Sequence, residues 1–148
     1  MRPHGTLIGL LSGALVGGLL ALSLGPNPSG PALFRSIILA PLLGLFGLLF
    51  DALQAARPDL WRPRYPGRLW LSRPFKIVLF WTICYPLARV AQDALTAALI
   101  ADPAGLAGTG LSHLAGPPAL LLFLIFQSPF GTAFGIGFAI LYRATGGR

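Results

Sequence analysis

RPDLWRPRYPGRLWLSRPFK, residues 57–76, is the stretch that decides the fold of this chain. It holds Arg57, Arg62, Arg64, Arg68, Arg73 and Lys76, more than half of the 11 basic residues, and it separates two long apolar regions. Hydrocarbon cannot take up so much charge. Pro58, Pro63, Pro66 and Pro74 each remove a backbone donor, which opposes a continuous helix. The expectation is an extended or turned basic loop, residues 57–74, lying on a membrane surface. Short loops rich in lysine and arginine stay cytoplasmic, and that side sets the direction of every apolar segment around it.

Composition points to the same class. The 148 residues are 55% hydrophobic and only 10% charged, with a mean hydropathy of +0.74. Soluble domains carry about a quarter charged residues, so this chain has too little polar surface to cover itself in water. The net charge of +7 gathers at the ends of apolar runs, where topology signals belong, and not along one solvated face. No nucleic acid is expected as a partner.

Working outward, four uncharged or sparsely charged segments are long enough to cross a core of about 30 Å at about 1.5 Å per residue. They are residues 6–24, 32–56, 75–99 and 117–142, and together they form a single transmembrane domain over 1–148. A signal peptide is the rival for the first, since it follows a basic start. The apolar run is long for a signal core, and no small-x-small site precedes a soluble domain, so a transmembrane helix is expected. Basic residues mark the start, the 57–76 stretch and the end, while the links at 25–31 and 100–116 have none. Four spans with both termini cytoplasmic satisfy that count, in an all-α polytopic fold. The expected location is a bacterial inner membrane or an internal energy-transducing one.

Two kinds of feature stand out within the spans. Gly5, Gly9, Gly13 and Gly17 recur every four residues and share a helix face, and Gly131 and Gly135 repeat the spacing in the last span. Such glycine-zipper faces let a neighbouring backbone approach closely; whether that neighbour is internal or another subunit stays open. In the third span Thr82, Tyr85, Arg89, Gln92, Asp93 and Thr96 fall on one helical stripe. Arg89 and Asp93 form an i,i+4 pair, and residue counting on the antiparallel second span sets Arg35 at the depth of Asp93. An intramembrane cluster of Arg35, Arg89 and Asp93 is expected, with Gln127 and Ser128 nearby. Pro86, and Gln127-Ser-Pro129 in the last span, should weaken the helices there. Asp51-Ala-Leu-Gln-Ala-Ala and Asp93-Ala-Leu-Thr-Ala-Ala match, but six alanine-rich residues do not establish a repeat.

Catalytic sets are hard to assemble. Asp51 and Asp93 should lie roughly 15–20 Å apart in depth, too far for a coupled carboxylate pair. The chain has no glutamate and no GxxxxGK[ST] loop, so HExxH, EF-hand and phosphate-loop chemistry are absent. Cys84 is the only cysteine, which leaves no disulfide or thiolate metal site. His4 and His113 fall on opposite sides, so only a single axial ligand to a pigment or haem is conceivable, and no metal or cofactor is expected. Trp61, Tyr65 and Trp70 alternate with Arg62, Arg64, Arg68 and Arg73, a mixture suited to anionic headgroups or an acidic partner subunit. The leading expectation is a non-catalytic accessory or scaffold subunit of a larger respiratory or photosynthetic membrane complex that binds lipid. The alternative is a small oligomeric transporter or channel with an anion or proton path along Thr82, Tyr85, Arg89 and Asp93.

Overall fold

The structure, a computed structural model, describes residues 4–23, 30–61, 72–99 and 116–145. Among these there are only helices: α1 (His4–Ser23), α2 (Gly30–Ala56), the short α3 (Pro58–Trp61), α4 (Arg73–Leu99) and α5 (Pro117–Ala144). The helices α1, α2, α4 and α5 are long and apolar enough to cross a membrane. Their outer faces are correspondingly apolar, with Leu22 80% and Phe126 72% exposed. Water would not tolerate that surface; lipid requires it.

The chain folds as two hairpins laid side by side. In the first, α1 lies on α2 along Gly5, Gly9, Gly13 and Gly17, all buried. A Cβ at Gly13 would come 2.7 Å from Ala40 Cα, and Cβ atoms at Gly9 and Gly17 would strike the carbonyl oxygens of Leu43 and Ser36. Only hydrogen at those positions permits this backbone approach, and dispersion across it replaces the hydrophobic drive that lipid removes. In the second hairpin Gly131 and Gly135 of α5 face Trp81, Thr82 and Val78 of α4, with added Cβ atoms 2.8 Å from Trp81 O and 2.9 Å from Val78 Cα. The Thr82 and Thr132 hydroxyls meet at 3.0 Å in that seam.

The hairpins join through α2 and α4. Phe50 of α2 is fully buried and meets Trp61, Phe80, Phe138 and Tyr142 edge-on or tilted, at centroid distances of 4.9, 5.3, 5.4 and 5.5 Å. Such pairs add about 0.5–1.5 kcal/mol each beyond area burial. His4, at the start of α1, meets Tyr142 near the end of α5 at 6.4 Å. Both outer helix ends therefore sit at the bundle end that carries α3.

Pro41, Pro86 and Pro129 lie inside continuous α2, α4 and α5; a membrane helix tolerates a lost donor when neighbours cover the freed carbonyl. The described start of the basic stretch is turned, with Pro58 opening the four-residue α3; proline at a first helical position loses no hydrogen bond. Lys76 Nζ donates to Leu60 O at 2.5 Å and ties α3 to α4. Finally, α1 begins at His4, not residue 6, which matters for Asp51 below. Arg62, Arg64, Tyr65, Arg68, Trp70, Asp102 and His113 lie outside the described residues.

Candidate functional site

The polar groups gather at the two ends of the α2–α4 seam. At the end far from the basic stretch, Asp93 is fully buried and its Oδ1 lies 2.6 Å from Nε of Arg35. The residue counts explain the meeting: Arg35 is early in α2 and Asp93 late in α4, and the two helices run antiparallel. Gln92, one position before, is also fully buried and donates from Nε2 to the backbone carbonyl of Arg35. Thr96 Oγ1 returns to Gln92 O at 2.7 Å. A buried carboxylate survives in an apolar bundle only with a cation and hydrogen bonds close by. Here α2 supplies the cation.

Arg89 meets the cluster through Gln92. Its Nη1 donates to Gln92 Oε1 at 2.5 Å, so it joins the cluster through the amide, one helical step nearer. The reason is geometric. Both i+3 and i+4 are within a long side chain's reach on a helix, and Asp93 is turned toward Arg35. Tyr85 is buried and lies over Phe134, 5.4 Å between centroids. Gln127 and Ser128 stay half-buried on α5, where Ser128 Oγ donates to Leu124 O at 2.8 Å. Among the described residues, no hydrogen bond joins either of them to the Arg35–Asp93 group. The stripe of α4 thus faces its own bundle.

The other end holds a group that sequence reasoning passed over. Asp51, 6% exposed, reaches from α2 to the amino end of α1. Its Oδ1 accepts from Gly5 N at 2.9 Å, and its Oδ2 accepts from Thr6 N at 2.9 Å and from Thr6 Oγ1 at 3.0 Å. A helix leaves its first amides without intrahelical partners and carries partial positive charge there. Asp51 satisfies both needs from a different helix. Glycine at 5 and 47 lets the carboxylate in, since a Cβ at Gly5 would lie 2.6 Å from Asp51 Oδ1. Asp51→Ala should therefore cost about 1–2 kcal/mol, the usual loss for a helix cap. The loss should appear as faster amide exchange at Gly5 and Thr6 before any other site in α1. Unchanged exchange there would refute the clamp.

Beside Asp51, Gln54 Oε1 accepts from Arg73 Nη2 at 3.3 Å and from the Tyr142 hydroxyl at 2.8 Å. The Arg73 guanidinium carbon stands 5.6 Å over the Tyr142 ring. Trp61, half-buried, packs on Phe50 and not outward alone. His4 is half-buried against Tyr142 at the bundle end. No group of three or more His, Cys, Asp or Glu side chains comes together among the described residues, and Cys84 is buried as a free thiol.

Chemically, then, the two sites are interhelix locks: each presents a carboxylate of one span to a cation or helix end of another. No protein-family model matches the chain, and no curated protein or solved structure matches it either.

Proposed function

We propose that this chain is a non-catalytic accessory or scaffold subunit of a larger integral-membrane complex, of respiratory or photosynthetic type, in a bacterial inner or internal energy-transducing membrane. One observation carries the reading: polar side chains on the inner faces of the spans reach across to neighbouring spans. Thr82 meets Thr132, Gln92 and Asp93 meet Arg35, and Asp51 holds α1. A transport path would need those groups turned toward water. The glycine faces are likewise turned inward, so another subunit would meet the apolar outer faces of α1 and α5, where Leu15 and Phe130 are 65% and 62% exposed. The arginine-rich sequence between α2 and α4 assigns the bundle end that carries α3 to the cytoplasm, and the start of α1 and the end of α5 go with it.

Solubilised in mild detergent, the chain should elute with larger membrane subunits in fixed ratio. Elution as a lone chain in its micelle rejects the subunit role. In a Cys84→Ala background, cysteines placed at Ala56 and Thr145 should react with an impermeant maleimide in inverted vesicles only; labelling in intact cells reverses the orientation. The second reading, an oligomeric transporter or channel, rests on Arg89, which is half-buried where Asp93 is sealed. Loss of anion or proton flux in Arg89→Ala liposomes, with assembly intact, would put that reading first.

A further inference from the structure

Between the start of α4 and the end of α5 lies a groove of about 360 Å³, lined by Arg73, Ile77, Ala139, Ile140, Tyr142 and Arg143. We propose that it binds a single anionic phospholipid, with the phosphate between Arg73 and Arg143 and an acyl chain along Ile77, Ala139 and Ile140. The inference rests on the four-span membrane placement and not on the subunit role.

Charge decides the headgroup. The amino end of α4 and the carboxyl end of α5 contribute partial charges of opposite sign, about half a unit each, and nearly cancel. Two guanidinium groups remain, and no acidic residue lines the groove. Arg73 is held in place by Gln54 at 3.3 Å and by the Tyr142 ring, so little side-chain freedom is lost on binding. Guanidinium suits phosphate through paired N–H donors.

Position and wall decide the rest. Both arginines stand at the ends of their spans, at the level where headgroup phosphates lie. Below them the wall is aliphatic and opens toward lipid, with Ile140 64% exposed. Free phosphate has nothing to place against that wall. An acidic peptide would bring backbone polar groups into it without partners. A phospholipid meets both halves.

The test uses the purified full-length chain in detergent with equal amounts of phosphatidylglycerol and phosphatidylcholine of the same acyl chains, read by native mass spectrometry. Wild type should retain phosphatidylglycerol selectively, and Arg73→Gln with Arg143→Gln should lower that preference about thirtyfold. Arg57→Gln, at an exposed arginine 3.9 Å from Asp59, should leave it unchanged. Ile140→Trp should fill the groove and expel lipid with both arginines present, which keeps the proposal testable should the double variant misfold. An unchanged preference in the double variant with native helicity overturns it. So does an equal loss in Arg57→Gln, or displacement by millimolar inorganic phosphate. Because the chain is assayed by itself, elution without partner subunits would reject the accessory role and leave this result standing.

Discussion

Gly9→Leu is expected to cost at least about 3 kcal/mol, the upper range for overpacking, a large share of the roughly 5–15 kcal/mol that holds a domain together. A Cβ at Gly9 would run into the carbonyl oxygen of Leu43, with Leu43 C 3.0 Å and Gly44 Cα 3.3 Å away. Those are backbone atoms of α2, and they cannot rotate aside as a side chain would. To admit the new atoms, α1 must back away along its whole length. That retreat opens the contacts at Gly5, Gly13 and Gly17 and draws the α1 amides off Asp51. One substitution thus loosens both the seam and its clamp. Gly18 supplies the control, because a Cβ there meets nothing within 4 Å. Gly18→Leu should change stability by no more than about 0.5 kcal/mol, as exposed positions usually do. Unfolding in mixed detergent micelles, followed by far-UV circular dichroism, measures both. Equal midpoints for the two variants would mean that α1 does not rest on α2 through this face.

The same glycines show what could be read from the sequence. Their four-residue spacing defines a face on a helix, but spacing says nothing about what the face meets. The answer lies in Ser36, Ala40 and Gly44 of α2, small or buried residues at matching intervals on the antiparallel partner. The Arg35–Asp93 meeting follows from counting residues along antiparallel spans, and the ion pair stands at 2.6 Å. Depth, though, is coarser than rotamer choice. Counting does not tell whether Arg89 turns to Gln92 or to Asp93, three and four residues along. Asp51 was harder still. Its partners are the first amides of α1, and a two-residue error in where α1 begins removes them from view. Helix starts are the least legible feature of an apolar run that lacks a capping residue. The groove at Arg73 and Arg143 joins residues 70 positions apart, and no local pattern links them.

The second large effect is expected at Arg35 and Asp93. Arg35→Met should cost about 3–5 kcal/mol, the loss seen when one partner is taken from a buried ion pair. Asp93 is 0% exposed, whereas the Arg35 side chain is 28% exposed. The two single variants should therefore differ. Arg35→Met strips the cation from a carboxylate sealed inside the bundle. Asp93→Leu leaves a long side chain near a span end, where the guanidinium can reach the headgroup level along its aliphatic stem. Asp93→Leu should thus be milder by 1 kcal/mol or more, about the cost that snorkelling relieves. In the double variant both charges are gone, and well-packed apolar pairs replace buried ion pairs at little or no cost. Its stability should return to within about 1 kcal/mol of wild type, giving a coupling in the double-mutant cycle larger than either neighbour effect. Gln92 sets the remaining limit, since its amide still donates to the Arg35 backbone carbonyl after both charges are removed. That bond does not depend on the side chain of residue 35. A structural lock predicts this recovery. A conducting group predicts instead that the single variants lose flux before they lose stability and that the double variant, though folded, stays inactive. Thermal unfolding of the four proteins in one detergent, with flux measured in liposomes, separates the two outcomes. If the effects of Arg35→Met and Asp93→Leu simply add, the pair does not hold α2 to α4.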